Sequence, residues 1–152
     1  MLSEDTRDSS GLEVLGREEC LALLASAPIG RIVFTDRALP AVQPVNFAFS
    51  GGDIVIRTAP GSKLAAAARD AVVAFEADDF DPVAGTGWSV VVTGQARVVS
   101  EAGELDRLGA LPLPVAVPGG RGHYLAITPE LVSGRRIPER TGSVACGRSS
   151  PR

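Results

Sequence analysis

Seven short runs rich in β-branched and aromatic residues, each closed within a few positions by Gly, Pro or Asp, constrain this chain more than any other feature. Runs of that length make strands, and most gaps between them are too short for the crossover helix that joins parallel neighbours. The pattern therefore predicts a small, mainly antiparallel barrel with brief helices, not a layered parallel sheet. The predicted strands are Ile29–Thr35, Ala41–Ser50, Asp53–Thr58, Ala71–Ala77, Trp88–Val99, His123–Thr128 and Leu131–Ile137.

Local signals refine this reading. Pro44 removes a ladder donor, so its strand belongs at an edge or carries a bulge. Gly51-Gly52 suits a two-residue hairpin turn, and Gly94 marks a bend or bulge in the long fifth strand. Three helices are predicted: Arg17–Ser26, stopped by Pro28; Lys63–Asp70, capped by Ser62; and one near Glu101–Leu108. Asp78, Asp79 and Asp81 read as a solvated acidic turn rather than a cation site, and Leu111–Gly120 as a Pro-rich crossing.

At 152 residues the chain suits one domain with one core. Residues 1–11 and 138–152 are rich in Ser, Gly, Pro and charge, which predicts disordered tails around a domain from Leu12 to Ile137. No apolar run reaches the roughly 18–20 residues of a membrane span. The acidic start lacks the apolar core of a signal peptide, so a cytoplasmic protein is expected. Two cysteines, Cys20 and Cys146, are no disulfide framework. A net charge of −3 with mixed signs carries no nucleic-acid footprint. The single histidine, His123, precludes a His-based metal cluster or a Ser-His-Asp triad. Of the 15 basic residues only Lys63 is a lysine. A solitary ammonium in a Gly-Ser-Lys turn hints at a chemical need for it.

The stretch Ile54–Asp70 concentrates the chemistry. A strand ends in Arg57-Thr58, and Gly61-Ser62-Lys63 opens a helix, whose free N–H groups suit a phosphate. Arg57, Thr58, Ser62 and Lys63 could meet one anion there; an ordinary capped helix with two solvated cations explains the same spacing. The Walker A spacing is absent. Arg135-Arg136 reads equally as an anion contact or a surface pair.

Several pieces then occur in a telling order: Pro44-Val45-Asn46-Phe47, Arg57 through Leu64, Val73-Ala74-Phe75-Glu76, Gly87 through Gly94, Ile127-Thr128-Pro129 and Ser133 through Ile137. Together they resemble the pyridoxamine 5'-phosphate oxidase-like family of FMN-binding split barrels, notably its small actinobacterial members. The resemblance implies a six- to seven-stranded antiparallel split β-barrel with short flanking helices. It also implies a homodimer holding FMN in grooves between the subunits. By that resemblance Arg57, Thr58, Ser62 and Lys63 hold the phosphate. Val45, Asn46 and Phe47 lie along the isoalloxazine ring, and Trp88 and Ser89 approach it from the partner subunit.

Two positions depart from the family pattern. Leu113-Pro114-Val115 stands where relatives often carry Trp, and Ala126 where they often carry Arg before the Ile. The expected function is a flavin-dependent oxidoreductase acting on a small organic substrate, with no catalytic residue assigned. A deazaflavin-dependent reductase and a non-catalytic flavin store or sensor are the alternatives, and no metal, membrane or nucleic-acid partner is expected.

Overall fold

The computed structural model describes residues 7–114 and 123–139. Most of the predicted tails and the second half of the Pro-rich crossing, Val115 included, lie outside the described residues.

The chain runs β1 (Glu13–Val14), α1 (Arg17–Ser26), β2 (Gly30–Asp36), β3 (Leu39–Val45), β4 (Phe47–Ser50), β5 (Asp53–Thr58), α2 (Lys63–Ala68), β6 (Val72–Asp81), β7 (Thr86–Val98), α3 (Ala102–Gly109), β8 (His123–Ile127) and β9 (Leu131–Ile137). All pairings are antiparallel. Strand β7 belongs to two sheets. One runs β3-β2-β6-β7-β9-β1 and the other β7-β8-β5-β4. This is the split barrel, and the nine described strands exceed the predicted seven for two reasons. A two-residue β1 adds to the β9 edge, and the predicted strand Ala41–Ser50 is in fact two.

That second correction has a physical cause. β3 ends at Val45, paired with Gly30 on the outer edge of the first sheet, whereas β4 starts at Phe47, paired with Ile56 on the edge of the second. Asn46 is where the chain leaves one sheet for the other. Pro44 accordingly sits in an edge strand, where a missing donor does no harm.

The other fork lies on β7. Gly87–Thr93 pairs with β9, and Ala96–Val98 pairs with β8 along the same edge. The connection between β8 and β9 passes directly over Gly94, where a Cβ would stand 1.7 Å from the Thr128 carbonyl oxygen. Only a glycine permits that approach, so the bend predicted at Gly94 is the pivot between the sheets.

The core fills the space between the sheets. Ile32, Phe75, Ala77, Val90, Val92, Ile54, Ile56, Leu125 and Ile127 are fully buried there, with Cys20 and Leu24 of α1 and Leu64 and Ala68 of α2 closing it. A second cluster, Val55, Val99, Leu108, Leu113, Tyr124 and Ala126, lies on the outside of the β8-β5 sheet beneath α3. The predicted acidic turn is corrected too. Asp78, Asp79 and Asp81 are in β6, opposite Ser89, Trp88 and Thr86, and form a hairpin arm with β7. Described residues ahead of Leu12 pair with the domain. Arg7 bridges to Glu13, and the Asp8 carboxylate takes an ion pair from Arg135 at 2.9 Å.

Candidate functional site

The end of β5 gathers most of the predicted phosphate and ring contacts. The turn Ala59-Pro60-Gly61-Ser62 closes with Ser62 N–H donating to the Ala59 carbonyl at 3.2 Å. Pro at its second position and Gly61 at φ +68° in its third are the residues a type II turn requires. The Ser62 hydroxyl then accepts from Ala65 N–H at 3.1 Å and caps α2. That cap serves the third helical N–H, so the N–H groups of Lys63 and Leu64 keep no intrahelical acceptor. The Lys63 ammonium is exposed and makes no ion pair among the described residues.

Arg57 and Thr58 are consecutive in a strand and therefore face opposite ways. Arg57 lies on the outer side, its guanidinium 5.5 Å from the centre of the Tyr124 ring. Its donors make no hydrogen bond or ion pair among the described residues, and stacking uses the face of the group and not its edge. Thr58 faces inward and donates to the His123 carbonyl at 3.3 Å. Across the strand, Phe47 opposes Ile56, so Asn46 falls beside Arg57, exposed at the crossing between the sheets. The Phe47 ring turns into the core and meets Phe75 edge-on at 4.8 Å. Val45, Asn46, Phe47, Arg57, Thr58, Ser62 and Lys63 thus occupy one end of the barrel. Tyr124, the platform under Arg57, escaped the sequence reading; its only signal is being the sole tyrosine, next to His123.

Trp88 and Ser89 are elsewhere. They open β7, opposite Asp79 and Asp78 on one side and Arg136 and Arg135 on the other. Nine residues of β7 lie between Trp88 and Val98, roughly 30 Å of strand at about 3.3 Å per residue, and Val98 is the end that pairs with β8 beside Arg57 and Thr58. Trp88 lines two clefts on opposite sides of the hairpin arm, and neither includes Lys63. One, about 330 Å³, is bounded by Asp79, Asp81, Thr86, Trp88, Arg136 and Glu139 among others. The second, about 300 Å³, includes Leu12, Phe80, Ser89 and Arg135. Both arginines of the Arg135-Arg136 pair are engaged within the chain. Arg135 holds Asp8, while Arg136 reaches Glu19 at 2.6 Å and Glu13 at 3.4 Å. The hydrogen bond that Arg136 donates to Glu19, above all, keeps the guanidinium firmly protonated.

Other chemistry is thinly supplied. Cys20 is fully buried, and burial, reinforced by the Glu19 carboxylate, pushes its thiol up and away from the reactive thiolate. No group of three His, Cys, Asp or Glu side chains among the described residues could hold a metal ion. No described helix is long and apolar enough to cross a membrane. At the two positions that depart from the family pattern, Leu113 and Ala126 are both buried in the outer cluster under α3. Arg97 stands opposite Ala126 and is tied to Asp53 and Glu104, so it does not substitute for the missing arginine.

Comparison with known proteins fits this architecture. Residues 16–136 match the pyridoxamine 5'-phosphate oxidase family profile. The uncharacterized protein Rv0080 of Mycobacterium tuberculosis is 45% identical over 128 residues, spanning 81% of this chain and 84% of its own. Among solved structures, an FAD binding protein from Mycobacterium smegmatis superposes with a TM-score of 0.70 at 36% identity, covering 82% of this chain and 96% of that one. A Corynebacterium glutamicum protein provisionally named a pyridoxamine 5'-phosphate oxidase gives 0.73 at 32% identity, covering 86% and 96%. With the family match running from α1 to the end of β9, on a split barrel shared with these relatives, the chain belongs to the pyridoxamine 5'-phosphate oxidase family.

Proposed function

We propose that the chain binds a flavin nucleotide, works as a homodimer in the cytoplasm, and serves as an oxidoreductase for a small organic substrate. The observation that carries the reading is the unpaired Lys63 ammonium. It stands at the mouth of a rigid turn whose Lys63 and Leu64 N–H groups have no acceptor. An ammonium with two backbone donors beside it matches a phosphate in charge and in hydrogen-bond demand. Arg57, carried on Tyr124, adds a second cation within reach of the strand end.

When bound, a flavin supplies hydride and electron transfer. The chain's own groups then bind and orient. Asn46, exposed beside Arg57, offers an amide to the polar edge of a ring lying over the sheet crossing. Thr58 and Ser62 already hold structural hydrogen bonds, so they shape the turn, and the charge falls to Lys63 and Arg57. A second copy of the chain supplies Trp88 and Ser89 from the far end of β7. FMN satisfies this cradle with its single phosphate. The FAD binding relative from Mycobacterium smegmatis favours FAD as a second reading, the adenylate extending past the open turn.

Titration by flavin fluorescence with FMN, FAD, a deazaflavin and riboflavin tests the proposal. Loss of one charge-assisted contact costs roughly 1.5–3 kcal/mol. Lys63→Ala should therefore weaken FMN by about ten- to a hundredfold and leave riboflavin, which has no phosphate, unchanged. Equal losses for both, or none for FMN, would reject the phosphate assignment.

A further inference from the structure

The first sheet ends in β3, and the far side of β3 has no partner strand among the described residues. The β2-β3 hairpin closes on a two-residue turn, Arg37-Ala38, with φ of +51° and +65° and with Asp36 opposite Leu39. Positive φ at both turn residues marks a type I′ turn, whose flanking pair is hydrogen-bonded. From that pair the register runs without a break to Gly30 opposite Val45. Along an antiparallel ladder, hydrogen-bonded pairs alternate with pairs whose N–H and C=O groups point away from the partner. Leu39, Ala41, Gln43 and Val45 therefore bond to β2, while Pro40, Val42 and Pro44 turn their backbone groups toward the open side. Two of those three positions are proline, which has no N–H. An edge seven residues long thus offers an incoming strand one donor, that of Val42.

We infer that Pro40 and Pro44 are a guard that keeps β3 from pairing with a strand of another copy of this chain. The rest of the strand makes a guard necessary. Its sequence, Leu-Pro-Ala-Val-Gln-Pro-Val, carries no charged side chain, and its continuous register leaves no bulge. Leu39 and Val42 are largely exposed. Long, uncharged, apolar edges recruit strands, and charge, bulges, shortness and proline are the devices that prevent it. Only proline is present here. The end strand of the second sheet, β4, has no proline but is four residues long, so shortness serves it. A strand added to β3 needs a donor at every second residue. The prolines withhold it at two of three places and leave the ladder to β2 intact. A second copy is thereby kept off the edge of this sheet and left its outer face. The guard acts whether or not a flavin binds at the Lys63 end.

Hydrogen exchange on the full wild-type chain reads the backbone phase directly. The Val42 amide is expected to exchange at least about a hundredfold faster than those of Ala41 and Gln43. Pro40→Thr and Pro44→Thr then return the missing donors. Threonine favours strands and adds no apolar surface, so a gain in association comes from the edge. In sedimentation velocity the double variant should form species at least about twice the size of wild type at equal concentration, with each single variant in between. The Val42 amide should become protected in those species. Because size is read against the wild type's own assembly, the result does not depend on whether copies also meet through the face. Two results would each overturn the inference: a wild-type Val42 amide as protected as its neighbours, or a folded double variant of wild-type size. The first decides the matter even where the double variant fails to fold.

Discussion

The two sheets of this barrel alternate their side chains in the same way, yet their outer faces are treated differently. Outside the β8-β5 sheet, Val55, Tyr124 and Ala126 are buried because α3 and the residues after it lay Leu108 and Leu113 over them. Outside the β2-β6-β9 sheet no described helix lies. There Val42, Val33, Ala74, Thr93 and Leu131 oppose one another in an unbroken row across five strands. Val42 and Leu131, at its two ends, are 63% and 70% exposed, and Val72 in the next row 68%. Both α1 and α2 are directed into the barrel instead. A chain that covers one apolar outer face and leaves the other bare marks the bare one for contact. We propose that a second copy covers it, with the Arg31–Glu76–Asp78 ion pairs as a polar border.

The covered face should break hardest. Leu108 is 2% exposed, and Leu108→Ala leaves a cavity between α3 and the sheet. A loss of about 2–5 kcal/mol is expected in urea unfolding. Leu131→Ala, at 70% exposure, should cost the isolated subunit under about 0.5 kcal/mol. A loss below about 1 kcal/mol for Leu108→Ala would mean that α3 is only loosely docked.

The open face should respond in association rather than folding. Leu131→Asp places a carboxylate in the apolar row and should weaken self-association by about ten- to a hundredfold, or roughly 1.4–2.8 kcal/mol. Sedimentation equilibrium at several concentrations measures it. A wild-type chain that stays monomeric at micromolar concentration, or a variant that associates as tightly, would remove the second copy from this face.

The contrast between the faces was only partly legible in the sequence. Helix α1 and strands β5 and β9 have the boundaries read from sequence, because Pro28, the Gly51-Gly52 turn and the Thr128-Pro129 corner are local signals. The phase of the Val90-Val91-Val92 run is not local. Three consecutive valines have no polar alternation to say which of them face the core, and only the register decides it. Val90 and Val92 are fully buried, and Val91 between them faces out. The break at Asn46 escaped for a related reason: leaving one sheet for another is a tertiary event that a continuous apolar run does not announce. The acidic residues of β6 have poor strand propensity, and their pairing with β7 overrides it. At the site, Lys63 stood out by rarity and Arg57 by position. Asp79 and Arg136 could not be joined to Trp88 from sequence, being brought beside it only by β6 and β9 pairing with β7.

The smallest effect distinguishes how the two faces are bordered. α3 is held by apolar packing, whereas Arg7–Val14, at the rim of the open face, is tied down by Asp8. The Asp8 carboxylate accepts from the Ser10 hydroxyl at 2.6 Å, from Ser10 N–H at 2.9 Å and from Leu12 N–H at 3.0 Å, and pairs with Arg135. These contacts, the Ser10 hydroxyl first, lower its pKa from 3.8 to about 2. A depressed acid stabilises the fold fully above its unfolded value, and that contribution disappears as pH falls through the folded one. The stabilising tie is therefore complete above about pH 4 and lost toward pH 2. NMR titration of the Asp8 carboxyl should give a midpoint near 2, moving up toward 3.8 in Ser10→Ala. The stability gap between wild type and Asp8→Asn should be present at pH 7 and pH 5 and shrink with further acidification. The deficit of Leu108→Ala, which involves no proton, should persist unchanged over the same range. A wild-type midpoint near the ordinary carboxylate value would show that the segment beside β9 owes nothing to Asp8.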